Sequence, residues 1–526
     1  MWMSELAVIV GLMLAHTFTA TFVGLQPIQV EVEVDGNRGV PALIFIGLPS
    51  KATAEAHERI TSALQNCGFR IRSKRTIVNL APADIPKHGS SFDVAIALGI
   101  LKMYGELQAN TDQSLFLGEL SLEGRVKSIR GCLPLVLAAQ KWGFKQVFVP
   151  QDNLAEVALI DDLAIYPVER LQELLAHLSG QEQLPRLQPQ RYESLLADTP
   201  PPAFSFDDII GQEEAKQGLL VAAAGGHNVL MSGPPGMGKT ILAESLVSLL
   251  PPLSKTEAIE VTNLYSVSGL NAGQLLTSPP FRHPHHTITA AALVGGGNPI
   301  QPGEISLAHH GLLFLDELLE FPSYLLETLR QPLESKKVVV CRANGRVEFP
   351  ANFMLVAAMN PCPCGYRGAS KKVCTCPEYI IHKYEQKLSG PLLDRFDVCL
   401  QVQDVEKPPL STPTLANQIN QQYQNKTSES PKEIITAVID RQKKRFIDCE
   451  IKKNGEMNSK QVRQYCHLSS AAQVLLDQSF EKMQLSIRSY FKIIKIAQTI
   501  ADLASSDQIE WKHMSEALQY RYQPNR

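Results

Sequence analysis

Val229-Leu-Met-Ser232-Gly233-Pro-Pro-Gly-Met-Gly-Lys239-Thr240 is the stretch whose reading decides the fold. Val229 to Ser232 lacks polar alternation, as a strand covered on both faces does, and the glycine-rich turn after it opens onto a helical pattern. That is the setting a G-x-x-x-x-G-K-[ST] phosphate loop requires. Gly233, Pro234, Pro235, Gly236, Met237 and Gly238 form a cradle in which backbone N–H groups curl around the phosphates of ATP. Lys239 reaches the β and γ phosphates, and Thr240 offers a hydroxyl to Mg²⁺.

Working outward, Leu312 to Leu315 is a second apolar run that leads straight into Asp316-Glu317, two carboxylates at the end of a buried strand. Ligands sit at that end of such sheets, so Asp316 is expected to hold Mg²⁺ and Glu317 to activate water. A third run, Phe353 to Met359, ends at Asn360, whose amide is placed to orient the attacking water. Taken singly, paired acids also begin helices, and an Asn before Pro361 also makes a turn. From 204 to 408 the alternation of such runs with helices predicts an α/β doubly wound parallel sheet.

On either side the composition changes. Residues 13–179 mix short strands (Val30 to Val34, Leu43 to Ile46, Thr76 to Leu80, Val147 to Val149) with helices (Ala54 to Gln65, Leu133 to Trp142), an α+β pattern. Residues 180–203 are rich in Gln, Pro, Arg and Glu and end in Thr199-Pro-Pro-Pro202, which predicts an extended spacer without a helix. After Pro408-Pro409, residues 409–526 read as a helical lid. One face of its long helix is marked by Ile487, Tyr490, Phe491, Ile494, Ala497, Ile500, Ala501 and Ala504. Residues 1–12 are expected to be an upstream extension, with Met13 the initiator.

The whole chain has 526 residues, enough for about three domains. With 44% hydrophobic and 20% charged residues it belongs with soluble globular proteins. A net charge of -3, from 50 basic against 53 acidic residues, gives no global field for nucleic acid, so any such contact must be local. Leu6 to Leu14 is too short to span a bilayer, and Glu5 is the wrong flank for a secretory signal. A cytoplasmic protein with no membrane contact is expected. The ten cysteines do not form a disulfide framework.

Phe206-Asp-Asp-Ile-Ile-Gly-Gln212, the sites above and Leu388-Ser-Gly-Pro-Leu-Leu-Asp-Arg395-Phe-Asp397 together resemble an AAA+ ATPase of the magnesium-chelatase-like group. Within it the chain is similar to the ComM/YifB competence-related proteins from Met13 onward. The similarity runs through Phe281-Arg-His-Pro-His-His286, Ala292-Leu-Val-Gly-Gly-Gly297, Pro302-Gly-Glu-Ile-Ser-Leu-Ala-His309 and Asn360-Pro-Cys-Pro-Cys-Gly365. The resemblance implies that Asn360 is sensor 1 and that Arg395 is an arginine finger reaching a neighbouring subunit's γ-phosphate, unless Asp394 or Asp397 pairs with it. A head-to-tail site of that kind must close into a ring, and the resemblance implies a homo-hexamer. Arg488 matches sensor 2, although Lys492 and Gln498 stand where relatives are expected to carry Arg.

Lys336-Lys-Val-Val-Val-Cys-Arg342-Ala-Asn-Gly-Arg346-Val-Glu-Phe349 reads as a hairpin around an Asn-Gly turn. In related AAA+ helicases a hairpin here enters the ring channel. By that likeness Lys337, Arg342 and Arg346 contact DNA phosphates, with Arg282 on a second channel loop, Gly269 to Gly297. The alternative is a solvated hairpin whose charges discourage edge pairing. His283, His285 and His286 read as part of a structural or DNA-facing loop, without metal. Cys362, Cys364, Cys374 and Cys376 are expected to hold structural Zn²⁺, with reduced thiols or a redox-sensitive disulfide as alternatives. Residues 86–98, with Ser91, and 124–133 resemble a Lon-protease-like (ribosomal S5 domain 2-like) fold in which Leu133 replaces the catalytic lysine, so proteolysis is expected to be lost. Lys127 is the nearby amine that a register shift would bring into play.

The function so implied is an ATP- and Mg²⁺-dependent DNA helicase driving branch migration on single-stranded and branched DNA. It would aid integration of transforming DNA by homologous recombination, alongside recombination proteins. The alternative is a magnesium-chelatase-like chaperone that remodels a protein partner.

Overall fold

In a computed structural model the chain is described over residues 14–37, 39–40, 42–47, 50–69, 75–83, 87, 91–197, 204–271, 273–342, 345–369, 372–403 and 430–521. The expected upstream extension, Thr199 to Pro202 and Pro408-Pro409 lie outside these residues.

Two sheets organise the molecule. The N-terminal one has seven strands in the order Ala42–Ile46, Arg75–Ala81, Gln26–Asn37, Ala15–Val23, Ser114–Phe116, Gln146–Pro150 and Ala164–Val168. Gln26–Asn37 pairs antiparallel with both neighbours, and the other pairings are parallel. Helix Asp93–Met103, apolar almost throughout, buries nearly every residue against this sheet.

The second sheet is wholly parallel, in the order Phe281–Arg282, Leu312–Leu315, Met354–Met359, Val229–Ser232 and Val398–Gln401. Its side chains alternate between two buried faces. Val229, Met231, Leu312, Phe314, Val356 and Ala358 join the core with the C-terminal helices. Leu230, Leu313, Leu315, Leu355, Ala357 and Met359 join a second core with the segment after Glu317 and the hairpin. Burial on both sides is why these runs show no polar alternation.

The spacer differs from expectation, because Tyr192–Ala197 is helical. Tertiary contacts set its path: Leu187 N–H donates to Ile165 O (2.8 Å), Gln190 N–H donates to Ala158 O (2.8 Å), and the Tyr192 hydroxyl donates to Leu253 O. The N-terminal part also touches the parallel-sheet part directly. Asn271 donates to Glu156 (3.0 Å), and the turn at Gly24 lies so close to Val347 of the hairpin that a Cβ there would sit 2.5 Å from its methyl.

The C-terminal helices Pro431–Arg445 and Ile487–Leu503 pack against helix Glu213–Gly225, while Trp511–Gln519 packs against Ile487–Leu503 and Ser470–Lys482. The stripe along Ile487–Leu503 is corrected at both ends, where Ile487 is 71% exposed and Ala504, just past the helix, is exposed as well. From Ile493 to Asp502 neighbouring helices surround it, so polar Gln498, Thr499 and Asp502 are buried too. Asp502 is neutralised by Arg445 (2.7 Å) and accepts from Asn454 (2.8 Å). No helix among the described residues is long and apolar enough to cross a membrane.

Candidate nucleotide site and basic hairpin

The phosphate loop joins strand Val229–Ser232 to helix Lys239–Leu249. Gly236 and Gly238 adopt φ of 79° and 80°, in the left-handed region that glycine alone enters without strain. At Gly233 a Cβ would stand 2.3 Å from Val402 O, so a side chain has no room. Lys239 is 8% exposed, and its Nζ donates to Gly233 O (2.7 Å), Pro234 O (2.9 Å) and Asn360 Oδ1 (3.2 Å). Burial lowers its pKa, while Asp316 and Glu317 pull it upward.

Parallel pairing of Leu312–Leu315 and Val229–Ser232 on either side of Met354–Met359 brings three strand ends together. Thr240 Oγ1 donates to Asp316 Oδ2 (2.8 Å), the arrangement expected of two ligands to one Mg²⁺. Asp316 Oδ1 accepts from Glu317 N–H (2.8 Å), and Glu317 takes φ of 49°, a left-handed conformation unusual for a glutamate. Local strain of that kind costs on the order of 1–3 kcal/mol and clusters at functional sites.

Sequence reading did not foresee the partner of Glu317. His286 Nδ1 lies 3.5 Å from Glu317 Oε2. The register carries the signal: Arg282 pairs with Leu313, and His286 and Glu317 lie equally far beyond that pair. Arg395 also has an unexpected partner. Its guanidinium meets Glu334, rather than Asp394 or Asp397, and Arg488 reaches the same Glu334 oxygen at 3.3 Å.

The hairpin forms with Lys337–Arg342 antiparallel to Gly345–Pro350. Val338, Val340, Val347 and Phe349 are buried beneath it, Lys337 and Arg346 lie exposed on the opposite face, and Arg342, on the valine face by register, is exposed at the end of its strand. Among the described residues Arg346 pairs with the half-exposed Glu348 (2.9 Å), and Arg342 lies against Gly296 of the glycine loop. Arg282 is placed differently from a phosphate-seeking side chain. On the edge strand it forms a two-point bond with Glu304 (2.6 and 2.7 Å) beside the Tyr265 ring. That neutralises it locally and leaves the three hairpin cations as the outward ones.

The four loop cysteines converge. Sγ separations are 3.3 Å for Cys362–Cys364 and 3.6 Å for Cys362–Cys374 and Cys364–Cys374, and all four thiols, Cys376 included, lie within 4.8 Å of one another. Tetrahedral thiolates around zinc stand about 3.8 Å apart, so the donor set fits that ion, whereas a disulfide needs about 2 Å. A backbone hydrogen bond at Tyr366 lowers the Cys364 thiol to about 6, and burial raises Cys362 to about 12. The same loop lies on the phosphate loop, since a Cβ at Gly365 would be 2.8 Å from Pro235.

A second cluster, Glu260, His309 and His310, was not visible in sequence. His309 Nδ1 accepts from Asn352 N–H (3.0 Å), so Nε2 carries the proton that it gives Glu260 (3.1 Å). A nitrogen holding a proton is no metal ligand, and the cluster reads as a brace between helix Lys255–Ser268 and the strand bearing Asp316. In the N-terminal part the Ser91 hydroxyl donates to Ala20 O (3.4 Å), Leu133 is buried in an apolar cluster, and Lys127 is exposed.

Three family models match in succession. Residues 32–153 match "Subunit ChlI of Mg-chelatase", 205–410 match "Magnesium chelatase, subunit ChlI", and 425–521 match its C-terminal model. Competence protein ComM of Haemophilus influenzae is 41% identical over 514 residues, covering 97% of each chain. YifB of Escherichia coli is 39% identical over 515 residues, with the same coverage. The magnesium-chelatase 38 kDa subunit of Cereibacter sphaeroides is 26% identical over 224 residues, 39% of this chain and 60% of its own. With its phosphate loop, acidic strand end and parallel sheet, the chain belongs to the ComM/YifB family of magnesium-chelatase-like AAA+ proteins.

Proposed function

We propose that this protein is an ATP-driven DNA motor working as a closed hexameric ring, with branched and single-stranded DNA as its substrate in a ComM-like competence role. The convergence of Lys239, Thr240, Asp316, Glu317 and Asn360 on one strand-end crevice carries the ATPase reading. Thr240 and Asp316 would hold Mg²⁺, which would supply charge neutralisation across the transferring phosphate. Lys239 fixes the phosphates, Asn360 orients water, Glu317 accepts its proton, and Arg395 completes the site of the adjoining subunit.

The exposed cations Lys337, Arg342 and Arg346 on a hairpin braced by buried valines favour DNA over a protein partner as the load. Zn²⁺ on Cys362, Cys364, Cys374 and Cys376 would stiffen the loop beside the phosphate cradle. The N-terminal part is a Lon-like module without proteolysis, supported by Leu133, buried in an apolar cluster, standing where the resemblance puts the catalytic lysine. A protein-remodelling role is the second reading, favoured by the magnesium-chelatase subunit models. ATP turnover measured with and without forked DNA separates the two: stimulation supports the motor, and indifference to every DNA moves the reading to remodelling.

A further inference from the structure

The N-terminal part grips the parallel-sheet part at two places, and each lies behind a segment read as facing DNA. The first is the two-residue turn between Ala15–Val23 and Gln26–Asn37. Gly24 takes φ of 64° there, and Leu25 joins the apolar core that holds Val338, Val340, Val347 and Phe349 of the hairpin. The valine face of the hairpin thus rests on a side chain from the N-terminal part.

The second grip is polar. Glu156, 1% exposed, accepts from Asn153 (2.9 Å) of its own part and from Asn271 (3.0 Å) at the root of the glycine loop. Gly131 N–H donates to Ser266 O (3.0 Å), and a Cβ at Gly273 would stand 2.2 Å from Asp152 O. Burial pushes the Glu156 carboxyl up, and hydrogen bonds from Ser266, Asn153 and Asn271 pull it back. A carboxylate so buried is costly unless its acceptor sites are filled, so undocking the loop root is disfavoured.

The two grips belong to one rigid piece. Ala15–Val23 pairs with Ser114–Phe116, which pairs with Gln146–Pro150, and Glu156 follows in the 3-10 turn Gln151–Val157. Phe22, beside the first grip, packs on Gly131 of the second, where a Cβ would meet its ring at 2.2 Å. What they hold is one piece too. Gly296 lies against Arg342, and a Cβ at Gly295 would be 3.3 Å from Val340.

We propose that the N-terminal part is a platform that holds the hairpin and the glycine loop in position for DNA, with Leu25 and Glu156 as its positioning residues. The inference rests on the DNA-motor reading above and gives the Lon-like module a function within it.

Leu25→Ala, Leu25→Met and Glu156→Gln, each in the full chain, test it. Neither residue belongs to the nucleotide site, so ATP turnover without DNA should match wild type in all three. Hydrogen exchange reads loop position with no DNA present. Hairpin amides should exchange faster in Leu25→Ala and glycine-loop amides faster in Glu156→Gln, while Leu25→Met, which keeps the apolar contact, stays near wild type. With oligodeoxythymidine added, the concentration giving half-maximal turnover should rise about tenfold in Leu25→Ala and Glu156→Gln, with turnover at saturation kept, as when the loops stand ready a tenth of the time. The two variants are independent, so misfolding of one leaves the other to decide. Unchanged exchange overturns the inference, as does faster exchange with an unchanged half-saturation, or loss of turnover without DNA. Wild-type protein that ignores DNA while the variants still loosen the loops would instead overturn the DNA-motor reading, and the platform's DNA role with it.

Discussion

Replacing Thr240 with Val isolates one hydroxyl. The substitution keeps shape and helix propensity, so helix Lys239–Leu249 should be unaffected. It removes the donor 2.8 Å from Asp316 Oδ2 and one proposed Mg²⁺ ligand. A hydrogen bond to a charged group contributes about 1.5–3 kcal/mol, so kcat/KM for Mg²⁺–ATP should fall about ten- to 150-fold. Steady-state ATPase titrated with Mg²⁺ reads the effect: the half-saturating Mg²⁺ concentration should rise, and Thr240→Ser, which keeps the hydroxyl, should stay near wild type. Unchanged Mg²⁺ dependence in Thr240→Val would refute the assignment of Thr240 and Asp316 to one metal.

Glu317→Gln should bind ATP normally and turn over at most a hundredth as fast, as expected when a general base is lost; nucleotide-binding and single-turnover assays separate the two steps. The double variant Arg342→Ala/Arg346→Ala should weaken single-stranded DNA binding and lower the slope of log K against log salt by about 1.4 per engaged subunit, and an unchanged slope would exclude both phosphate contacts. Purified protein should carry about one zinc per chain, lost when Cys362 and Cys374 become Ser; equal, negligible zinc in both would remove the metal. Asp502→Ala strands Arg445, and breaking a buried pair costs about 3–5 kcal/mol, so urea unfolding should shift sharply; a change under 1 kcal/mol would show the pair to be dispensable.

How much was legible in sequence depended on how local the signal was. The phosphate loop, Asp316 and Asn360 each sit at the end of an uninterrupted apolar run, and strand order then brings those ends together. The Asn344-Gly345 dipeptide between β-branched runs likewise announced the hairpin, although Asn344 lies outside the described residues and Gly345 already pairs with Arg342. Contacts between segments distant in sequence were not legible. Glu334, on the short helix Arg330–Ser335, gave no hint that it gathers Arg395 and Arg488. Arg282 was read from its motif alone, whereas Glu304 claims it in space. The spacer helix arose because Tyr192 finds Leu253, and Ile487 is exposed because its helix is surrounded only farther along. His286 stood in plain view, and only the parallel register beside Leu312–Leu315 reveals that it faces Glu317.

The central claim is that nucleotide turnover at Lys239 drives DNA. Strand displacement on three- and four-stranded branched substrates tests it most directly, with Lys239→Ala protein as the control and ATP turnover recorded on the same samples. The account predicts displacement that requires ATP, Mg²⁺ and Lys239, together with faster turnover when DNA is present. Vigorous ATP hydrolysis that moves no strand and ignores every DNA would contradict it.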